Sequence, residues 1–442
     1  MFSTPETLPI REIKSLTSLR GVAALAVVLQ HFSATAQTHS SGWIPSIVPH
    51  GYMAVDFFFV LSGFIMSYTY LAAFQAQGFK AYGPFLLKRV ARIVPLGVAV
   101  TAAILTLGAV AATWGRSDLF INSNAVRAGL TESVLINVLH LQGFLNTYNL
   151  NDPSWSVSVE LGTYLVFPIL VYLIYNGPQV ACAAYILAGT FLVVGVAITQ
   201  PRLGLGVRSP LFDMARCLAE FGYGMLTYRV FEMQGKIRVL GTDGWTWSIT
   251  AFACGMLLLR VDLLIALSFP LLVLTWAWNQ GSASRIMSSS IPYFLGIISF
   301  SLYLVHHLFR RPELELLQFV FPQPVSPMAA LAFALAGSLS IIPTAMLAYR
   351  FVERPGRDTI NNLTRRLKPR VDRDLARTVT AEFADHQRSG VYHPLHQPGS
   401  HSGATDIAKT TQRAFSTAQQ SHTQIHTGHS ESEPGHRRKS IV

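Results

Sequence analysis

Eleven apolar runs punctuate the chain, near residues 19–36, 52–74, 93–114, 133–148, 157–175, 179–199, 211–230, 246–260, 262–278, 291–309 and 327–352. Most approach the roughly 20 residues that cross a bilayer as a helix. The run at 133–148 is the least apolar, because Glu132, Asn137, His140, Gln142 and Asn146 lie in or beside it. Basic residues decide how many runs cross. Arg11, Lys14 and Arg20 precede the first run, and Lys80, Lys88, Arg89 and Arg92 lie between the second and third. Both are cytoplasmic signatures. If all eleven runs cross, Arg229, Lys236, Arg238 and the basic tail fall outside. If 133–148 is interfacial or re-entrant, they return inside. The pattern therefore predicts an all-α polytopic membrane protein with ten transmembrane helices and both termini cytoplasmic. Its parts are a cytoplasmic N-terminus over 1–14, an integral-membrane domain over 15–356 and a polar, disordered cytoplasmic tail over 365–442.

Composition agrees with this class. Charged residues are 13% and hydrophobic residues 50% of the 442. Soluble domains carry about 25% charge. The 27 Phe, 15 Tyr and 7 Trp exclude disorder for most of the chain. The net charge of +11 would point to nucleic acid in a soluble protein. Here the cations cluster between runs and in the tail, so they set topology and no nucleic-acid partner is expected. Cys182, Cys217 and Cys254 sit in apolar runs without metal spacing, and no metal site is expected. Eight of the 14 histidines lie singly in the tail and form no single metal site.

Titratable groups inside membrane helices mark functional sites by default. Arg20 and His31 are eleven residues apart, about three helical turns, so they share a face roughly 16 Å apart along the axis. Asp56 opens the second run, where a carboxylate either caps the helix or orients a histidine. Trp155, Ser156 and Glu160 follow Pro153 at a helix start, and a carboxylate inside that run requires a partner. Ser299, Tyr303, His306 and Arg310 fall at i, i+4, i+7 and i+11, a polar stripe on one helical face. Such a stripe faces a cavity or another helix. Lys88, Arg89 and Arg92 are a topology signal and a seat for an anionic phosphate donor. On the ten-helix topology His31, Asp56, Trp155, Glu160 and the stripe fall in the outer half, opposite the basic patch.

These residues resemble the membrane-bound acyltransferase-3 family, bacterial O-acyltransferases that modify cell-envelope and exported glycans. The resemblance runs over about 14–356. It is carried by Leu19-Arg20-Gly21 with His31, Phe57 to Phe64 (FFFVLSGF), Arg89/Arg92-Ile-Val-Pro95, Trp155-Ser156 with Glu160, Ser301-Leu-Tyr303-Leu with His306, and Val352-Glu353-Arg354-Pro355. Leu161-Gly162-Thr163-Tyr164 departs from the acidic and aromatic residues that commonly follow Glu160 in the family.

The resemblance implies transfer of an acyl group, acetyl by preference, from acyl-CoA to a sugar hydroxyl of an exopolysaccharide, O-antigen or signalling oligosaccharide. Acetyl-CoA would be the donor substrate, with no permanently bound cofactor. The partners are the bilayer and a glycan or lipid-linked oligosaccharide, and the location is the bacterial inner membrane. His31, Arg20, Asp56 and Glu160 are then the catalytic candidates. Trp155, Ser301, Tyr303 and His306 are candidates for substrate binding, and Arg89 and Arg92 for donor binding. Composition alone fits a transporter or exporter equally well. It would require paired broken helices in two halves, which the sequence lacks.

Overall fold

A computed structural model describes residues 12–44, 50–121, 123–145, 149–199, 209–233 and 236–363. The tail over 365–442 and most of the N-terminal segment lie outside the described residues. Every apolar run but 133–148 is occupied by a long helix. These are α1 (Lys14–Gln37), α2 (Ala54–Gln77), α3 (Tyr82–Ala112), α6 (Ser154–Val171), α7 (Gln179–Thr199), α8 (Pro210–Met233), α9 (Asp243–Leu259), α10 (Asp262–Trp278), α12 (Ser290–Val305) and α14 (Pro327–Ala348). Shorter helices are α4 (Ser123–Ala128), α5 (Leu130–Val138), α11 (Ser282–Met287) and α13 (His307–Val320). Among the described residues there is no β-strand beyond an isolated bridge between Ser40 and Val325. Among the described residues, five helical stretches are long and apolar enough to cross a membrane, and a sixth if α12 and α13 count together. Phe191 on α7 and Leu211 on α8 are over 80% exposed, as side chains facing lipid are.

Two close helix crossings organise the bundle. On α1, a Cβ added to Gly21 would overlap the backbone of Gly296 on α12, and one at Gly296 would overlap Thr17. On α2, a Cβ at Gly63 would overlap the Phe221 carbonyl of α8, and one at Gly224 the Val60 carbonyl. Small residues of this kind let membrane helices approach backbone to backbone. Both pairs run parallel. Arg20 meets Ser299 while His31 meets His306. Asp56 meets Arg216, and Tyr68 meets Phe231. Helices α2 and α6 are parallel too, through Phe59–Trp155 and Phe74–Phe167.

The 133–148 run folds differently. α5 has nine residues, about 13 Å of helix and less than half a bilayer core. The chain then turns at His140, whose φ of 55° is left-handed. The His140 ring packs on Gly97, midway along α3. The following loop is fixed to the start of α6. Ser158 Oγ donates to the His140 carbonyl at 2.5 Å, and Gln142 Nε2 donates to Ser154 Oγ at 2.9 Å. His140 and Gln142, two of the polar residues that weaken the run as a span, are therefore among those that pin it to α3 and α6.

At the opposite side of the chain's fold, Asp243 ties α9 to α11. Its carboxylate accepts from the Ser282 hydroxyl and amide, from Asn279 and from the Ala283 amide. These donors hold its pKa well below the usual carboxylate value.

Candidate active site

The α1–α12 seam brings two sequence-derived candidates into direct contact. His31 Nδ1 lies 2.8 Å from His306 Nε2, and the rings stack with centroids 5.1 Å apart. His306 Nδ1 faces the Leu302 carbonyl at 3.3 Å. A carbonyl only accepts, so a neutral His306 is assigned its proton on Nδ1 and presents a lone pair at Nε2. His31 must then donate from Nδ1. Its own Nε2 is left with a free lone pair, the form of a general base.

All four members of the polar stripe bond to another helix. Arg20 Nε donates to Ser299 Oγ at 2.8 Å, and its Nη2 donates to the Gly296 carbonyl at 2.9 Å. Tyr303 OH lies 2.7 Å from Ser156 Oγ and reaches the Pro153 carbonyl at 3.0 Å. Arg310 Nε donates to Thr35 Oγ1 at 2.9 Å. The stripe is thus the interface of α12 and α13 with α1 and α6, adjoining the His31–His306 pair.

Toward the Lys14 end of α1 lies a second polar level. Glu160 accepts from Ser62 Oγ and Tyr164 OH, both at 2.5 Å. Ser301 Oγ donates to Glu353 at 2.7 Å. Arg89 donates to Tyr70 OH at 2.9 Å, and its Nε is buried without a partner. The charges of Arg92, Glu353 and Glu160 all act on Arg20. Arg20, Arg92 and Glu160, separate in sequence, are therefore neighbours electrostatically.

Asp56 is engaged elsewhere. It pairs with Arg216 Nε at 3.1 Å, both side chains fully buried, and Glu220 lies against it. Trp155 stacks its ring under the same Arg216 guanidinium, 5.7 Å from the centroid, and edges onto Phe59. The ring partner of His31 is His306. Arg216 and Glu220 were absent from the sequence candidates. The signal was there: Asp213, Arg216 and Glu220 fall at i, i+3 and i+7 of an apolar run, on one helical face. Another polar cluster gave no such signal. His50 Nδ1 contacts Asp262, which also accepts from Tyr52 OH at 2.6 Å.

Among the described residues no three His, Cys, Asp or Glu side chains converge as a metal site. An apolar groove of about 370 Å³ between α8 and α10, lined by Leu226, Leu267 and Leu274 among others, holds none of the residues above.

A bundle of apolar helices enclosing a pair of imidazoles and buried cations defines a multi-pass membrane protein. Comparison with known proteins makes the class specific. The family model described as an acyltransferase domain matches residues 13–350, and the chain belongs to the acyltransferase-3 family. It is similar to the acyltransferase MdmB of Streptomyces mycarofaciens, 27% identical over 79% of this chain and 93% of that protein. It is also similar to the peptidoglycan O-acetyltransferase OatA of Listeria monocytogenes serovar 1/2a (strain ATCC BAA-679 / EGD-e). That match is 23% identical over 78% of this chain and 55% of the Listeria protein. No solved structure matches the chain. The protein is an O-acyltransferase of the membrane, which decides against the transporter reading that composition left open.

Proposed function

We propose that the protein transfers an acetyl group from acetyl-CoA, at the Lys14 end of α1, to a sugar hydroxyl of a cell-envelope or exported glycan near the Gln37 end. The observation that carries this reading is the hydrogen-bond chain from His31 through His306 to Leu302, which leaves His31 Nε2 free to take a proton. His31 is the general base on the acceptor hydroxyl. His306 holds it in the required tautomer, the part a carboxylate plays in other base dyads. Arg89 and Arg92 hold the donor's phosphates. Arg20 and Glu160 line the passage by which the pantetheine arm reaches the base. Tyr303, with Trp155 behind it on α6, borders the acceptor side, and Ser301, bonded to Glu353, belongs to the donor-side level. Asp56 braces α2 against α8 through Arg216.

The reaction balances without an added cofactor. The hydroxyl loses its proton to His31 as its oxygen attacks the thioester carbonyl. Collapse of the tetrahedral intermediate expels the CoA thiolate, which takes the proton from His31. The products are a sugar ester and free CoA.

Ten membrane crossings, with both termini cytoplasmic and the chain in the bacterial inner membrane, fit this reading. Only α3 and the 133–148 run separate α2 from α6. Those two helices are parallel, so with α3 crossing, 133–148 does not cross. The parallel packing of α1 with α12, and of α2 with α8, follows from the same count. The basic residues then lie on the donor side. The printed name of the Listeria relative favours acetyl as the group and peptidoglycan as one acceptor to be tried.

The test is transfer of label from radiolabelled acetyl-CoA in isolated membranes supplied with crude envelope glycan. Wild type yields base-labile glycan ester, and His31→Ala at matched protein level yields none. Absence of transfer by the wild type overturns the donor assignment. Transfer by both removes His31 from the chemistry.

A further inference from the structure

The chain bends by 70° between α12 and α13, at His306. The bend folds α13 back across α1. One turn beyond the break, Arg310 therefore meets Thr35, which sits one turn beyond His31. Arg310 Nε donates to Thr35 Oγ1 at 2.9 Å, and Thr35 Oγ1 donates to the His31 carbonyl at 2.9 Å. The guanidinium is thus tied to the backbone of the base itself. Its charge acts on both His31 and His306.

Its other donors are unused. Among the described residues neither Nη group of Arg310 has a partner, and Arg310 makes no ion pair. Neighbouring arginines differ. Arg311 Nη1 donates to the Asp118 carbonyl at 2.8 Å, and Arg116 pairs with Glu315 at 2.7 Å. A half-buried guanidinium fixed at one nitrogen beside two imidazoles keeps its other donors available to an arriving negative charge. The proposed transfer makes such a charge. When the sugar oxygen attacks, the thioester carbonyl becomes an alkoxide next to His31.

We infer that Arg310 is a catalytic residue of this site, its Nη groups donating to the oxyanion of the tetrahedral intermediate. The inference rests on the acyl-transfer reading above. The carbonyl π pair moves onto oxygen as the new C–O bond forms, and Arg310 holds that oxygen. The pair returns as the C–S bond breaks. Thr35 positions Arg310 and touches no substrate.

The experiment measures acetyl transfer from acetyl-CoA to crude envelope glycan by wild type, Arg310→Gln, Arg310→Lys, Arg310→Ala and Thr35→Val. Monodisperse elution in detergent selects the folded variants. Arg310→Gln is expected to lower kcat about 10²–10³-fold, the effect of losing an oxyanion donor, with KM for acetyl-CoA and half-saturating glycan little changed. Arg310→Lys retains part of the rate. Added guanidinium restores part of the activity of Arg310→Ala and none of His31→Ala. Thr35→Val falls between wild type and Arg310→Gln. An Arg310→Gln enzyme with normal kcat and a raised glycan requirement overturns the inference in favour of acceptor binding. One with both normal reduces Arg310 to an anchor. In either case an active wild type leaves the acyl-transfer reading standing, whereas an inactive wild type fails that reading itself.

Discussion

The α1–α12 and α2–α8 seams are built alike and filled differently. Each is a parallel pair crossing at glycines, with polar groups set within three turns of the crossing. In α2–α8 the polar groups are charged and fully enclosed. Asp56 and Arg216 answer each other, with Glu220 alongside. In α1–α12, beyond the Arg20 bonds to Ser299 and Gly296, they are imidazoles whose hydrogen bonds run in one direction and end, among the described residues, on a free nitrogen. The enclosed ion pair cross-links helices at side chains that are fully buried. A directional chain of neutral donors and acceptors leaves one valence over. The difference teaches that neither burial of polar groups nor an unpaired buried oxygen marks the reacting site, since Asp56 and Glu220 have both; the directional imidazole chain sets the α1–α12 seam apart.

Breaking the closed seam has the largest expected effect. Arg216→Met leaves Asp56 and Glu220 buried without a counter-charge, at a cost of about 3–5 kcal/mol. The measurement is the thermal unfolding midpoint in detergent. The triple variant Asp56→Leu, Arg216→Met, Glu220→Leu recovers part of that loss, because packed apolar side chains replace all of the cluster except Asp213. A folded triple variant without acyl transfer would return Asp56 to the chemistry.

Altering the other seam changes rate before stability. His306→Leu removes the acceptor for His31 Nδ1–H and is expected to slow transfer about 10²-fold. His306→Gln can still accept that proton through Oε1 and retains more activity. Equal rates for the two variants would show that His306 does not act through His31. The discriminating readout is kcat at saturating acetyl-CoA in variants of unchanged unfolding midpoint.

The smallest effects come from the glycines. Gly63→Ala and Gly21→Ala each overpack a backbone contact, at about 1–3 kcal/mol. Gly63→Ala lowers the unfolding midpoint and leaves kcat of the folded fraction near wild type. Gly21→Ala lowers both, since shifting α1 against α12 parts the two imidazoles. A Gly21→Ala enzyme with full kcat would uncouple that seam from catalysis.

Much of this arrangement was legible in the chain. Helix positions follow from apolar runs, and the same-face spacing of Arg20 with His31 follows from the 3.6-residue period. The stripe from Ser299 to Arg310 was readable for the same reason. Partners were not readable. Nothing local to Asp56 tells that Arg216 will face it, and nothing local to His31 tells that His306 will be its ring partner. Those pairings depend on which helices pack together, and that is set by glycines whose role shows only when the opposing backbone is in place. The bend at His306 was equally hidden: the apolar run continues through it to 309, so the hydropathy pattern gives no sign that Arg310 turns back toward α1.

The His31–His306 contact spans 275 residues of sequence. During synthesis the first helix must wait in the bilayer while seven further long helices are made, before α12 can lie beside it. On the proposed role of His31, a product terminated before residue 306 lacks the partner of its base however well its early helices insert. On that reading, the base gains its partner only when the chain is complete through α12.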